Sequence, residues 1–295
     1  MRLCAPAKIN WTLEVLGCRD DRYHEVRTII QTVEPCDTLD LTPGDRLKLQ
    51  VEGAHQPSQD DLVLRAATLL GGGGASGAHI RLSKRVPVAA GLGGGSSDAA
   101  TALRGLNQLW RLGYGDARLA EISAGIGSDV AFFVHGGTAL AEGRGERVTP
   151  LPDLPPTWLV LLVPPFRLPE KTRRMYSALT PGDFTDGART EALLRRLNRD
   201  LPIADAELYN AFQRAAYEVF QGLDAYHDAL LAAGARRVHL AGSGPALFAL
   251  GPDEGAARAI HDRLRPPGGQ APRRAPVWAL VVRTLTAAEA RVMEG

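Results

Sequence analysis

The sequence predicts a two-domain α+β protein. Its 295 residues exceed one typical domain, which favours two compact units. The stretch "TPLPDLPPT" at 149–157 is rich in prolines, which remove the backbone donors that a helix or strand needs. In the second half, strand patterns enclose helical patterns, an order typical of a sheet with helices packed on one face. We therefore expect domains at residues 1–152 and 153–295.

The first half opens with strands. Residues 1–16 alternate in polarity, with Ile9, Trp11, Leu13 and Val15 on one face. After a turn at 17–25, the patterns predict strands at 26–33 and 47–51, a helix at 60–70 between acidic residues and a glycine, and a strand at 79–88 that runs into a glycine-rich loop.

Helical spacing returns after that loop. Ala99, Leu103, Leu106 and Trp110 lie four, three and four residues apart, which predicts a helix beginning near Ser96. The rest of this half predicts a short helix at 117–125, a turn carrying Asp129 before "VAFFV", and two strands joined by "EGRGE" at 142–146.

The second half begins with a strand at 158–163, which is also the longest apolar run. No internal repeat is present. The later patterns predict helices near 188–198, 204–221, 223–233 and 254–265, a flexible surface loop at 266–276, and a strand at 277–283.

Composition limits the partners. A formal net charge of +1 gives no global field that recruits nucleic acid or an anionic membrane. The longest apolar run is too short to span a bilayer, and the first residues lack the apolar core of a signal peptide. Cys4, Cys18 and Cys36 are too few and too unevenly spaced for a disulfide framework or a zinc site, so we expect them to be reduced and mostly buried. We expect a cytoplasmic protein that is a monomer or a weak homodimer.

The stretch "PVAAGLGGGSSDAATAL" at 87–103 places four glycines within five residues at the head of a predicted helix. A helix N-terminus presents unpaired N–H groups, and glycines let the main chain approach an anion without a Cβ in the way. We expect a phosphate here, with tight packing at a helix entry as the alternative, and we expect the two serines to cap the helix. The residues expected to bind the phosphates are Pro87, Ala89, Ala90, Gly91, Leu92, Gly93, Gly94, Gly95, Ser96 and Ser97.

A second glycine-rich run, "GGGGASG" at 71–77, contains Gly72, Gly74 and Gly77 at the spacing of a dinucleotide-binding loop. It follows a predicted helix and precedes a predicted strand, the reverse of the order that such a loop requires. We therefore interpret it as a surface loop.

Three motifs resemble those of the GHMP kinases, which include galactokinase, homoserine kinase and mevalonate kinase: "APAKIN" at 5–10, the glycine loop, and "AGSGPALF" at 241–248. The stretches at 5–33 and 127–146 further resemble the kinases that act on 4-diphosphocytidyl-2-C-methyl-D-erythritol in the non-mevalonate isoprenoid pathway. The resemblance covers essentially the whole chain. It implies a ribosomal-protein-S5-like N-terminal domain, a ferredoxin-like C-terminal domain, an active site in the cleft between them, and transfer of the γ-phosphoryl group of ATP to the 2-hydroxyl of that substrate.

Lys8 lies among apolar residues of the first strand, where a lysine is costly unless it has a charged partner. The resemblance makes Lys8 and Asp129 the catalytic pair. Asp129 would accept or prepare the hydroxyl proton, and Lys8 would keep Asp129 ionised and steady the charge near the γ-phosphate. A buried structural ion pair is the alternative. Asn10 faces the same side of the strand as Lys8 and resembles the family's contact to the methylerythritol part or to Asp129.

Tyr23 and His24 match the family's cytosine pocket, in which an aromatic ring stacks on the base and an imidazole bonds its edge. An ordinary surface turn is the alternative. Tyr176 is the candidate for the opposite wall of this pocket, and Phe166 is an alternative to it. Arg22 departs from the family, which usually has a glycine before the Tyr-His pair.

The third motif contains the consecutive residues Gly242, Ser243 and Gly244. Their backbone N–H groups would approach the substrate diphosphate, and a tight β-turn between strands is the alternative. Asp61 is a further departure, because the family often has an asparagine near the adenine at this position.

The resemblance implies ATP as co-substrate and Mg²⁺ as cofactor. Asp129 is the one evident carboxylate ligand for Mg²⁺, so a serine hydroxyl, phosphates and water would complete the coordination. Two other functions stay open from the residues alone: a GHMP kinase that acts on homoserine or a mevalonate derivative, and a nucleotide-binding module that has lost turnover. The presence of both Lys8 and Asp129 argues against the second.

Overall fold

The computed structural model describes residues 1–52, 61–71, 77–264 and 278–294. Within these ranges the strands form two sheets, one of eight strands and one of four. Helices pack against both sheets, so the fold is of the predicted α+β class.

The first 151 residues build most of the larger sheet and its helices. In chain order their elements are β1 (Arg2–Cys18), β2 (His24–Gly44), β3 (Leu47–Glu52), α1 (Leu62–Leu70), β4 (Gly77–Ser83), α2 (Gly94–Leu109), α3 (Asp116–Ser123), α4 (Val130–His135), β5 (Thr138–Gly143) and β6 (Arg147–Leu151).

The later residues build the smaller sheet and return twice to the larger one. In chain order their elements are β7 (Trp158–Val163), α5 (Lys171–Ser177), α6 (Ala188–Leu197), β8 (Tyr209–Asn210), α7 (Gln213–Val219), α8 (Leu223–Ala232), β9 (His239–Leu240), β10 (Leu247–Gly251), α9 (Glu254–Arg263), β11 (Trp278–Arg283) and β12 (Met293–Glu294).

The larger sheet has the order β12-β1-β2-β4-β3, with β5 pairing with β2, β6 with β5, and β8 with β1. The smaller sheet has the order β11-β7-β10-β9, and its strands are all antiparallel. Because β8 and β12 both pair with β1, the second half of the chain contributes two short strands to the sheet of the first half.

Strand β1 is buried along almost its whole length and contributes to three hydrophobic cores. Leu3 packs with α1 and α2, Trp11 packs between the two sheets, and Val15 packs with α7 and α8. The pairing of β1 with β2 shifts register between Pro6 and Ala7 and again further along. A bulge changes the face to which later side chains point, so one alternating strand serves cores on different sides.

Several predicted elements differ in the structure. The strand predicted at 79–88 ends at Ser83, because the N–H groups of Arg85 and Val86 donate to the Asp37 side chain of β2 instead of to a backbone carbonyl. The helix predicted at 204–221 is a short 3-10 turn, β8 and α7. Asn210 ends the regular pattern there, since its side chain donates to two carbonyls near β9 and accepts from Phe212. The helices α4, which contains "VAFFV", and α5 were not predicted.

The cysteines also differ from the expectation. Cys4 and Cys36 form a disulfide with a Cα–Cα distance of 5.5 Å, and Cys18 is free and exposed. The antiparallel pairing of β1 with β2 brings these two residues together. The two cysteines are 32 residues apart in the sequence, so their contact could not be predicted from spacing. The expectation of three reduced and mostly buried thiols was therefore wrong.

Two interpretations lie outside the described residues: most of the glycine run at 71–77, and the surface loop at 266–276. Among the helices of the described ranges, none combines the length and the apolar character that a membrane crossing requires.

Candidate active site

The glycine loop leads into α2, and the helix begins at Gly94 rather than near Ser96. Gly93 is the N-cap, in the left-handed region with φ of 73°, and no side chain caps the helix. The expected serine cap is therefore wrong. The first amide bonded within this turn is that of Ser97, which donates to Gly93 O at 2.9 Å. The N–H groups of Gly94, Gly95 and Ser96 consequently point out of the helix end, where they can bind an anion.

Two glycines of this loop occupy positions that no side chain fits. A Cβ on Gly91 would lie 2.3 Å from Ala241 O, and a Cβ on Gly93 would lie 2.8 Å from the Phe133 ring. Both residues have positive φ, 90° and 73°. The glycines thus serve close approach to other segments as well as access to the main chain.

The three sequence motifs meet at this loop. Lys8 N in β1 donates to Leu92 O at 2.9 Å, and Ala246 N in the third motif donates to Ala90 O at 3.0 Å. A Cβ on Gly242 would lie 2.9 Å from Lys8 Nζ. The third motif is a turn between β9 and β10. The turn between strands that was the alternative interpretation is therefore present, and it is compatible with ligand binding.

Lys8 and Asp129 face each other across the cleft. Lys8 Nζ lies 3.9 Å from Asp129 Oδ2 and donates to Asn10 Oδ1 at 2.8 Å. Asn10 Nδ2 in turn donates to Thr28 Oγ1 at 2.8 Å. Lys8 is 5% exposed, whereas the Asp129 side chain is 38% exposed and makes no cap bond to α4. A buried ammonium therefore stands beside a carboxylate that is open to the cleft.

Burial lowers the pKa of Lys8, and the nearby Asp129 carboxylate opposes that shift. An anion in the cleft therefore favours the charged form of Lys8. The carboxylate of Asp129 supplies one such anion, and a bound phosphate would supply another.

Two cavities of about 770 Å³ each adjoin this pair. The glycine loop lines one of them, and His24 and Tyr176 line the other. The residues common to both cavities are Lys8, Ser96, Asp129, Thr172, Arg173 and Ser243. One wall thus separates a phosphate-binding space from an aromatic pocket, and the Lys8–Asp129 pair stands in that wall.

All three predicted rings, Tyr23, His24 and Tyr176, line the aromatic pocket, and two of them are stacked. His24 stacks on Tyr176 with ring centroids 4.8 Å apart and an interplanar angle of 28°. Tyr23 is 57% exposed, and the Arg144 guanidinium lies 4.8 Å from its ring centroid. Phe166 packs instead against the rings of Phe220 and Tyr226.

Burial lowers the pKa of His24, so this imidazole is neutral near pH 7 and has one donor and one acceptor nitrogen. Burial also raises the pKa of Tyr176 to about 12, which keeps that hydroxyl protonated. The turn that carries Tyr23 and His24 has Arg22 with φ of 66°. This left-handed conformation is one that glycine adopts most easily.

A buried ionic cluster, which the sequence analysis missed, supports the entry to the glycine loop. Lys84 donates to Asp37 and, at 2.6 Å, to Asp98 in α2. Arg85 N and Val86 N donate to the same Asp37 carboxylate. Burial raises the pKa of Asp98, and the Lys84 ammonium opposes that shift. The cluster ties β2, the segment before the loop and the first turns of α2 to one another.

Lys171 and Arg144 were missed as well. Lys171 begins α5, lines the phosphate-side cavity and donates to Gly244 O at 2.6 Å. Arg144 lines the aromatic pocket. The rarity of lysine could have drawn attention to these residues, because only four of the 34 Lys and Arg residues are lysines. In the structure, Lys8, Lys84 and Lys171 all line the same cavity.

Comparison with known proteins agrees with this geometry. The family model described as GHMP kinases N terminal domain matches residues 61–137, and the model described as GHMP kinases C terminal matches residues 189–268. The structure of a homoserine kinase from Cytophaga hutchinsonii has a TM-score of 0.69 at 18% identity, covering 97% of this chain and 94% of that one. Fold and site thus define an ATP-dependent small-molecule kinase of the GHMP class.

More similar relatives narrow the class. A protein of Dehalococcoides mccartyi is 43% identical over 92% of this chain and 96% of its own, and one of Pelotomaculum thermopropionicum is 44% identical over 88% and 92%. Both are named 4-diphosphocytidyl-2-C-methyl-D-erythritol kinase. A crystal structure of 4-(cytidine 5'-diphospho)-2C-methyl-D-erythritol kinase has a TM-score of 0.77 at 35% identity, covering 96% of this chain and 99% of that one. The chain belongs to the 4-diphosphocytidyl-2-C-methyl-D-erythritol kinase family.

Proposed function

We propose that this kinase transfers the γ-phosphoryl group of ATP to the 2-hydroxyl of 4-diphosphocytidyl-2-C-methyl-D-erythritol, giving the 2-phosphate and ADP, in the non-mevalonate isoprenoid pathway. The observation that carries the proposal is the shared wall of the two cavities, which holds Lys8 and Asp129. A donor and an acceptor bound on opposite sides of that wall would meet at this pair.

The glycine loop is the proposed phosphate site. The free N–H groups of Gly94, Gly95 and Ser96 supply donors at the positive end of α2, and the small loop residues admit the phosphate oxygens. Phosphoryl transfer depends mainly on positioning and on neutralising charge. The loop meets the first requirement, and Lys8 contributes to the second.

Asp129 is the proposed acceptor of the hydroxyl proton. Its carboxylate has no cap bond to α4 and stands 3.9 Å from the Lys8 ammonium, so its oxygens are open to a hydroxyl in the cleft, as a base requires. Asn10 positions Lys8 through the 2.8 Å hydrogen bond. A partially exposed carboxylate in a cleft supports this role better than a purely structural ion pair does.

The aromatic pocket is the proposed cytidine site. The neutral imidazole of His24 offers one donor and one acceptor, which suits the edge of a cytosine. A base between two rings needs their planes about 7 Å apart, because each stacking contact takes about 3.5 Å. The ring centroids of His24 and Tyr176 are only 4.8 Å apart, so no base fits between them as they stand. We infer that His24 moves off the face of Tyr176 when the base enters, so that Tyr176 stacks on the base and the imidazole bonds its edge.

The residues at the shared wall fit a magnesium ion. Asp129 and Ser96 line both cavities and offer the hard oxygen ligands that Mg²⁺ takes, usually together with phosphates and several waters. The described residues contain no group of three or more His, Cys, Asp or Glu side chains arranged for a metal, which agrees with an ion held largely by the nucleotide. Bound there, the ion would neutralise phosphate charge.

Three further expectations belong to the proposal. The domain boundary would fall at 152/153, since the chain passes from the larger to the smaller sheet between β6 and β7. The third motif, with Gly242 and Ser243 at the shared wall, would approach the substrate diphosphate. The protein would act as a monomer or weak homodimer in the cytoplasm.

The test measures ADP release in the presence of ATP and magnesium with three alternative acceptors. These are 4-diphosphocytidyl-2-C-methyl-D-erythritol, called the cytidyl alcohol below, homoserine and mevalonate. We expect turnover with the cytidyl alcohol alone. Turnover with homoserine or mevalonate but not with the cytidyl alcohol would refute the proposed substrate, and ATP binding without any turnover would indicate a non-catalytic module.

The pocket has its own test. Tyr176→Ala should raise the KM for the cytidyl alcohol about 10-fold or more, because base–aromatic stacking is worth roughly 1–3 kcal/mol. Tyr176→Phe keeps the ring and should leave this KM within about threefold. Equal KM values for the wild type and the alanine variant would remove Tyr176 from the base site.

A further inference from the structure

Lys171 lines the phosphate-side cavity, and the proposed function gives it no role. Arginine outnumbers lysine heavily in this chain, yet three of its four lysines line this one cavity. An ammonium is a compact point charge, whereas a guanidinium is a wide planar fork. A site that must place several cations around one phosphate chain favours lysine for that reason.

The three lysines differ in what already neutralises them. Lys84 has two carboxylate partners, Asp37 and Asp98, and Lys8 has Asp129. Lys171 donates to a neutral backbone carbonyl, that of Gly244 at 2.6 Å. Within the described part of the chain, no carboxylate lies within ion-pair distance of its Nζ. Its charge is therefore the one that a bound anion would still have to complement.

Lys171 lies at the edge of the glycine loop, in the cavity proposed to hold the phosphates. It is the first residue of α5, and its neighbours Thr172 and Arg173 line the shared wall. The carbonyl that holds its ammonium packs on the glycine loop, since a Cβ on Gly91 would lie 2.9 Å from Gly244 O. The ammonium is thus fixed at the edge of the loop by the third motif.

We propose that Lys171 is a catalytic residue that binds the terminal phosphoryl group of ATP from the side of the C-terminal domain, opposite the loop amides at the head of α2. This assignment rests on the proposed function, because it takes ATP as the ligand of the cavity. Two cations from different segments then hold the group during transfer: Lys8 from β1 and Lys171 from α5.

The electrostatics agree with this position. Burial, reinforced by the nearby charge of Lys8, lowers the pKa of Lys171 to about 8. An anion beside the ammonium would reverse that shift. The other charged groups that line the same cavity are Lys8, Asp61, Lys84, Asp98, Asp129, Glu170 and Arg173.

The test compares Lys171→Met and Lys171→Arg with Arg174→Met. The control removes one positive charge from the same helix, at a residue that lines neither of the two cavities. Calorimetry gives dissociation constants for ADP and for an ATP analogue with a non-hydrolysable β,γ bridge, each with magnesium. Steady-state kinetics with the cytidyl alcohol gives kcat and KM.

For Lys171→Met we expect roughly 10- to 100-fold weaker binding of the analogue, the usual cost of losing a hydrogen bond to a charged group. Binding of ADP should stay within about threefold, kcat should fall about 100-fold, and the KM for the alcohol should stay within about twofold. Lys171→Arg should recover part of the loss, and Arg174→Met should match the wild type.

A methionine variant with analogue affinity and kcat within about threefold of wild type overturns the assignment. An equal loss of ADP and analogue affinity also overturns it, since the contact would then not be to the terminal phosphoryl group. If the wild type fails to phosphorylate the cytidyl alcohol, the proposed substrate fails, but the comparison of analogue with ADP still decides the role of Lys171.

A second measurement does not depend on how the methionine variant folds. At pH 8, analogue binding should draw a fraction of a proton onto Lys171, which calorimetry in buffers of different ionisation enthalpy detects. Lys171→Arg retains every other titrating group of the cavity and should lose that uptake. Equal uptake by the wild type and the arginine variant would overturn the proposal.

Discussion

Replacing Asp129 by asparagine removes the carboxylate that faces Lys8 and keeps nearly the same shape. At the observed 3.9 Å, the interaction between the two charges is about 4 kcal/mol at an effective dielectric of 20 and about 1 kcal/mol in water. Because the Asp129 side chain is 38% exposed, the value lies between these limits. Its loss leaves burial unopposed, so the pKa of Lys8 falls further.

The catalytic consequence is larger than the ionic one. Without a carboxylate to accept the hydroxyl proton, kcat should fall about 10²- to 10⁴-fold, the usual contribution of a positioned base. Affinity for an ATP analogue measured without magnesium should stay within about threefold or improve, since a negative charge near the phosphates is gone and no metal ligand is involved. Coupled ADP release measures the first quantity, and calorimetry measures the second.

Asp200→Asn is the matched control. Asp200 is exposed, and its φ of 56° suits asparagine equally well, so this variant should match the wild type in both assays. A kcat for Asp129→Asn within about tenfold of wild type would refute the reasoning. A large loss of nucleotide affinity in that variant would also refute it, because it would assign Asp129 to binding.

Three further predictions concern stability. Gly93→Ala should lower the free energy of unfolding by about 1–3 kcal/mol in chemical denaturation, because φ is 73° and the new Cβ would lie 2.8 Å from a phenylalanine ring. Asp37→Ala should cost about 3–5 kcal/mol in the same assay, because a half-buried lysine loses one of its two carboxylate partners and two backbone N–H groups lose their acceptor. Arg214 donates to Asp183 and holds its pKa well below the usual range. This contribution is therefore present above the unfolded pKa of about 3.9 and is lost as pH falls below it, so the urea midpoint of Arg214→Met should change less between pH 6 and pH 3 than that of the wild type.

Neighbouring residues provide the controls. Gly95→Ala should be neutral or stabilising by up to about 1 kcal/mol, since the new Cβ has its nearest contact at 3.7 Å within a helix. Asp40→Ala breaks only an exposed ion pair with Arg2 on the same sheet and should cost about 0–1 kcal/mol. Equal losses at both glycines, an Asp37 variant as stable as the Asp40 one, or unchanged acid sensitivity without Arg214 would each contradict the corresponding prediction.

Local sequence patterns predicted those helices and strands whose own residues alternate, repeat at helical spacing or form an apolar run. The alternation of β1, the spacing of α2 and the apolar run of β7 all correspond to elements in the structure. The glycine loop was also visible, because four glycines within five residues directly before a helix form an unusual run. The helix start was wrong by two residues, since Gly93 in the left-handed region begins the helix without any side-chain cap.

Features that depend on tertiary contact were not accessible in this way. The Lys84 cluster joins residues that are 14 and 47 positions apart, and Lys171 acquires its position through a carbonyl 73 residues away. The disulfide and the short strand β8 depend likewise on partners that are distant in the chain. For the same reason the pairing of His24 with Tyr176 was predicted only through a family resemblance.

The pairing of β1 with β8 and β12 has a consequence for any attempt to divide the molecule. A cut in the segment between β6 and β7 would yield two fragments, and the first would lack two neighbours of the strand that carries Lys8. The second fragment would contain β8 and β12 without β1, the strand with which both of them pair. We expect neither fragment to be stable alone, whereas the two expressed together should reassemble into an active enzyme.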